Sequence, residues 1–218
     1  MSDFFTEAQR ELQSEFETTD LADRIVEAVV TEELSDLQSE FILNRNMFYL
    51  STIDESGYPS CSYKGGDLGF VRVIDPRTVV FPNYDGNGMF MSMGNIQAKE
   101  KVGLLFIDFE TPQRLRLRGE ARCHRKGPML ASYPGANLVV EISVDHVWVN
   151  CPRYVHRMQS LEESPYLPGK DGNTALALWK RIDIVQDVLK SQDRAEAESL
   201  GLITVEEYEA YVARGKLL

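Results

Sequence analysis

Apolar positions repeat with a helical period at the start of the chain. Phe5, Ala8, Leu12 and Phe16 share one face, with Ser2 or Asp3 expected as the cap. Leu21, Ile25 and Val29 predict a second helix opening after Thr19 or Asp20, and Leu34, Leu37 and Phe41 predict a third. These stripes read as core-facing or partner-facing surfaces without chemistry of their own. From Met47 the period changes to two. MFYLSTI, the turn Asp54-Glu55-Ser56-Gly57 and YPSCSYK read as two paired strands. Residues 71–74 and 79–81 give two more around the turn Asp75-Pro76-Arg77-Thr78. A short helix is expected over 89–98, followed by a strand over 102–107. In RLRLRGEARCH, Arg114, Arg116 and Arg118 alternate with Leu115 and Leu117. That period puts three guanidinium groups on one face of a strand and the leucines on the core face. LVVEISVDHVWV is a long strand or a strand pair.

After it, Asn150-Cys151-Pro152-Arg153-Tyr154-Val155-His156-Arg157 breaks the pairing at a proline and reads as an exposed loop rich in binding-type side chains. SLEESPYLPGKDGN is linker-like. Leu178, Ile182, Val185 and Leu189 then predict a helix, Gly201 stops an intermediate one, and Thr204 with Glu207 forms a capping box that opens the last. Short strands with helices kept to the ends predict an α+β domain on an antiparallel barrel. The expected organisation is an N-terminal helical segment (1–44), a barrel domain (45–158) and a C-terminal linker with a helical extension (159–218).

The 218 residues carry a net charge of −11, which argues against nucleic acid and against anionic membrane surfaces as partners. The acid excess sits mainly in the first forty and last thirty residues, so arginines in the middle can still hold an anionic cofactor within a Debye length of about 8 Å. No apolar run reaches the roughly 20 residues of a membrane helix. The acidic N-terminus lacks the layout of a secretory signal. Cys61, Cys123 and Cys151 are odd in number and widely spaced, as free thiols in a reducing cytoplasm would be. No paired-cysteine motif exists, and His124, His146 and His156 are scattered, so no metal site is expected.

The candidate chemistry lies between Tyr58 and Asn95. Two apolar-alternating runs there are each followed by a glycine-rich break, Lys64-Gly65-Gly66 and Asp85-Gly86-Asn87-Gly88. Glycines at strand ends admit close approach of another group, often a ligand. The two readings are a polar cradle for a flat, anionic small molecule and a plain hairpin with ordinary turn glycines. The first turn of the helix over 89–98 offers free amides to a phosphate on the first reading, or an apolar face to the core on the second.

The segments GYPSCSYKGGDLGFVRVIDPRTVVFPNYDGN, SMGNI, VGLLFIDF, RLRLRGEAR and WVNCPRYVHR stand in an order and spacing that resemble the pyridoxamine 5'-phosphate oxidase-like FMN-binding split-barrel family. The resemblance covers residues 35–158. It implies a six-stranded antiparallel split β-barrel with N-terminal and C-terminal helices. It also implies a homodimer with FMN in a cleft shared by both subunits and a small-molecule substrate. Carried over by residue, Ser62, Tyr63, Lys64 and Gly65 would line the flavin. Asn83, Asn87, Ser92 and Asn95 would bind the phosphate and ribityl chain. Arg114 and Arg116 would approach from the sixth strand, and Cys151, Arg153 and Tyr154 would close over the ring from the partner subunit. Phe81 and Met91 are expected as an apolar wall. Two departures stand out. Gly88 occupies a position where the family often has arginine, which shifts phosphate binding onto Lys64 and backbone amides. The oxidase's own C-terminal substrate residues have no counterpart in the helical extension.

The expected activity is therefore FMN-dependent oxidoreduction of a small molecule, without an assigned catalytic residue. The alternatives are a non-catalytic flavin carrier or sensor, and a barrel that holds haem or a deazaflavin.

Overall fold

The structure, a computed structural model, describes residues 4–216. Ser2 and Asp3, expected as the first helix cap, lie outside the described residues. Helix α1 (Glu7–Glu15) is instead capped by Thr6, in a box with Gln9. Helices α2 (Thr19–Val29) and α3 (Asp36–Leu43) follow, the latter capped by Ser35 and Gln38. No residue of α1 or α2 is buried, and Leu12, Phe16, Leu21 and Ile25 lie exposed, so these stripes do not face the core.

Seven antiparallel strands form one sheet, one more than the six expected: β1 (Met47–Ile53), β2 (Pro59–Gly65), β3 (Arg72–Asp75), β4 (Thr78–Asn83), β5 (Lys101–Asp108), β6 (Gln113–His124) and β7 (Leu138–Asn150). Helix α4 (Met91–Ala98) precedes β5, and a short helix α5 (Pro128–Ala131) follows β6. The sheet order is β2-β1-β5-β6-β7-β4-β3. In a flat sheet β1 and β4 would stand four strand spacings apart, about 19 Å. Yet the rings of Phe48 on β1 and Phe81 on β4 are 5.0 Å apart. The sheet therefore curls on itself into a barrel that stays open between its ends, β2 and β3.

The alternation read from the sequence builds the barrel's interior. Phe48, Leu50, Leu104, Phe106, Leu115, Leu117, Val140 and Ile142 are buried there. The long strand β7 is one strand with a fault in its register. Arg118 pairs with His146 and Gly119 with Val144, which leaves Asp145 as an extra residue. This bulge switches the inward face from Val140, Ile142 and Val144 to Val147. Phe81, expected beside the ligand, is wholly buried in this core.

The chain divides into two compact units. The barrel unit comprises the chain up to Leu130 together with Asn137–Gln159. The second comprises Ala131–Ala136 and Ser160–Leu218. Its core gathers Leu178, Ile182 and Ile203, with Trp179, Val185, Tyr208 and Tyr211 against them. The helix expected through Leu178, Ile182, Val185 and Leu189 is absent. Two 3₁₀ turns, Leu178–Arg181 and Asp183–Val188, flank an extended Ile182. Ile182 bridges to Ile203 in parallel, and the Asp183 and Ile203 amides donate across that bridge instead of along a helix. Helix α6 (Ser191–Leu200) stops at Gly201, and α7 (Val205–Ala213) opens on the Thr204–Glu207 capping box.

Candidate cofactor site

Strand β2 presents Ser60, Ser62 and Lys64 to one side and Cys61 and Tyr63 to the other, as period two requires. Opposite it run the end of β4, the loop Tyr84–Phe90 and the first turn of α4. Between them lies a cavity of about 510 Å³. Seven of the thirteen residues named from the sequence line it: Ser62, Tyr63, Lys64, Gly65, Asn83, Asn87 and Ser92. Ser62 and Ser92 join its two walls by a hydrogen bond of 3.0 Å between their hydroxyls. Asn83 donates to Asn137 Oδ1 at 2.8 Å and fixes the start of β7. Asn87 donates to Met89 Sδ at 3.3 Å and accepts from the Met89 amide, which shapes the glycine loop.

Lys64 is the cation of this cavity, and Asp85 lines it as well. It is half-buried, and burial alone pulls its ammonium below the ordinary lysine pKa. No carboxylate of the described residues pairs with it. A desolvated cation without a counter-charge is held at a cost that an anion removes. Phe90 precedes helix α4 with a left-handed backbone (φ 50°) and no side-chain cap, so it gives the first-turn amides beside Ser92 no side-chain acceptor. The tyrosines stay neutral: burial raises the Tyr63 phenol, with Tyr49 adding to it, and burial raises Tyr84, with Asp67 adding and Arg72 opposing.

The two glycines after Lys64 answer to protein neighbours. A Cβ at Gly65 would sit 2.8 Å from the Tyr63 ring, and one at Gly66 would sit 2.4 Å from the Phe70 ring. Both glycines do admit a close approach, and the approaching groups are aromatic side chains.

Six named residues lie elsewhere. Asn95 donates to Thr52 Oγ1 at 3.0 Å and ties α4 to β1. Arg114 donates to the Cys151 carbonyl, so these two belong to one cluster at the end of β6 and β7. Arg116 is exposed on the outer face of the sheet, beside Trp148 in the register. Arg153 and Tyr154 form an exposed turn closed by Val155 N–H to Pro152 O, with Tyr154 at φ 68° and 90 % exposed. Sequence reasoning missed Ser60, Cys61, Tyr84, Met89 and Phe90 as cavity walls. Ser60 had a usable signal, since it stands two residues before Ser62 on the same strand face. None of the three cysteines is disulfide-bonded, and no metal-binding cluster of His, Cys, Asp or Glu occurs among the described residues.

A partly open antiparallel barrel with flanking helices and a polar, cation-bearing cavity at its strand ends defines an α+β split-barrel protein. The chain belongs to the pyridoxamine 5'-phosphate oxidase family, whose model matches residues 34–165. No curated protein matches the chain. Among solved structures, it is similar to a candidate pyridoxamine 5'-phosphate oxidase of Lactobacillus delbrueckii (25% identity, 54% of this chain and 95% of that one, TM-score 0.45). It is also similar to HutZ, the haem storage protein of Vibrio cholerae (16% identity, 50% and 89%, TM-score 0.39). A third is an FMN-binding protein of Syntrophomonas wolfei (13% identity, 65% and 96%, TM-score 0.38). Among the described residues no helix is long and apolar enough to cross a membrane.

Proposed function

We propose that this protein is a cytoplasmic FMN-dependent oxidoreductase that acts on a small molecule and works as a homodimer. The observation that carries this reading is Lys64: a half-buried ammonium without an acid partner, in a cavity large enough for a cofactor. A phosphate dianion is the group such a site favours, with Lys64 as the cation and the α4 amides and the Ser62–Ser92 pair as donors. Asn87 and the backbone of the glycine loop would meet the ribityl chain, and Met91 would give the ring an apolar wall. FMN, when bound, supplies hydride or electron transfer to its isoalloxazine ring. The chain's own residues position it, neutralise its phosphate and exclude water.

The dimer would bring in Arg116, Arg153 and Tyr154, three of the six residues that lie elsewhere. Tyr63, Tyr49, Leu105, Arg116 and Trp148 follow one another in register across β2, β1, β5, β6 and β7. Register partners share a face, so this row forms an aromatic and apolar belt outside the barrel with one arginine in it. A second copy seated there would carry its Arg116 and its Arg153–Tyr154 turn toward the neighbouring cavity. Haem is the competing cofactor. It asks for an axial ligand, and the cavity wall offers cysteine, tyrosine and methionine side chains but no histidine.

The test is purification in the dark, an absorption spectrum and the mass of the released cofactor. Near-ultraviolet and blue flavin bands with the mass of FMN support the proposal. A Soret band, or no chromophore after reconstitution with FMN, overturns it. Steady oxidation of NADH or NADPH by the flavin-loaded protein separates an enzyme from a carrier.

A further inference from the structure

The cavity does not end at Phe90. A second hollow of about 310 Å³ shares its Phe90 and Met93 walls and continues past Gly94 to Cys123 and Leu138. A third, of about 530 Å³, shares Gln97, Cys123 and Arg125 with the second. The three hollows thus follow α4 from its first turn to its last. From Met91 to Gln97 the helix rises six residues, or about 9 Å.

The walls change character along this path. The middle is apolar: Phe90, Met93 and Leu138, with the Cys123 sulfur 4.0 Å from that of Met93. Burial raises the Cys123 thiol, against the pull of Arg125, so this wall stays neutral. The far end is cationic. Arg122 faces Glu100 and His124 faces Glu141. The Arg125 guanidinium donates to the neutral Gln97 amide, and no carboxylate of the described residues pairs with Arg125 or Lys126. Gly94 opens the middle: a Cβ there would meet nothing within 4 Å.

We propose that these hollows form one substrate groove, and that it takes a small molecule with an apolar body and a terminal carboxylate or phosphate. Arg125 holds the anionic end, Phe90, Met93 and Leu138 hold the body, and the reacting end reaches the cavity beside Met91, where the flavin ring would lie. This deepens the oxidoreductase reading and rests on that cavity being the reaction centre.

The experiment titrates the full-length protein calorimetrically with three probes of one body: 4-phenylbutyrate, 4-phenylbutyl phosphate and neutral 4-phenylbutan-1-ol. At least one anion binds, and the alcohol binds about tenfold more weakly, as expected when a charge-assisted hydrogen bond is missing. The stronger anion identifies the terminal group. Arg125→Ala removes that preference, and Gly94→Leu, which fills the middle hollow, removes binding of both anions. Gly94→Ala, a milder change that suits a helix, weakens binding less and guards against misfolding of the leucine variant. Equal binding of acid and alcohol, or unchanged affinity in Arg125→Ala and in a folded Gly94 variant, overturns the groove. FMN retention is measured on the same samples. Wild-type protein that retains flavin but binds neither anion refutes the groove alone, whereas wild-type protein that takes no flavin refutes the cofactor reading.

Discussion

Two parts of the barrel were expected to build one site, and they differ in how they are made. The first, β2 with the Tyr84–Phe90 loop and α4, is assembled around a hollow whose walls are joined by a hydrogen bond within one chain. The second, the outer face of β6 with the Cys151–Tyr154 turn, spends one arginine on a backbone carbonyl and leaves Arg116 and Tyr154 projecting outward. The first is a cavity by itself. The second is a surface that becomes part of a site only when something lies against it. The contrast teaches that a motif's residues need not share a cavity within one chain, even when they share a family signature.

The largest test addresses what both parts share. Phe48 is wholly buried and meets Phe70, Phe81 and Phe106, so it joins the sheet across the curl. Phe48→Ala should cost about 3–5 kcal/mol and lower the denaturant midpoint, with loss of both parts together. Lys64→Ala should then separate them. FMN affinity should fall by roughly ten- to a hundredfold, the range for removing one charge-assisted hydrogen bond, while the dimer persists in light scattering. Unchanged affinity would place the phosphate elsewhere. Arg116→Glu does the converse. The dimer should dissociate about tenfold more readily, with flavin released in parallel if the partner completes the site. A monomer that keeps its flavin would end the idea of a shared site.

Acidity and alkalinity sharpen the comparison further. Lys64 has a depressed pKa, so its ammonium, and with it phosphate binding, fades as pH rises through that lowered value. Between that value and the unfolded lysine value the unfolded chain binds more protons, so the same group favours the cofactor-free fold as pH rises. Flavin retention and apoprotein stability should therefore move in opposite directions in alkaline buffer. Asp108 gives the smallest effect. Burial raises its carboxyl, but bonds from Thr111, the charge of Arg45 at 2.9 Å and the Glu110 amide outweigh it and bring the pKa down. Its stabilisation is present above the unfolded pKa and lost as pH falls through the folded one. Asp108→Asn should cost about 1 kcal/mol at neutral pH and nothing in acid, read from urea midpoints.

Most of the fold was legible because its elements announce themselves locally. The strand alternation of Leu115 and Leu117 and the Thr204–Glu207 box each depend on a few neighbours. What failed depended on distant ones. The Leu178–Leu189 stripe has a helical period, yet Ile203 captures the backbone at Ile182. Gly66 looked like room for a ligand because Phe70, four residues on, gives no sign of folding back over it. In the site, contiguous residues such as Ser62 and Lys64 were readable from period two. Tyr84 and Phe90 were not, because loop residues carry no period that tells which way they face.

The opening in the sheet has a consequence for handling the protein. β3 ends the sheet as a strand of four residues with an irregular register at Asp75, a blunt terminus. β2 ends it as seven residues in regular pairing with β1, with no strand of the described residues on its far side and Tyr63 standing out beside it. A long, regular border of this kind recruits other chains unless something occupies it. If the cavity beside β2 takes FMN as proposed, apoprotein should clump through β2, and FMN added before concentration should keep it dispersed.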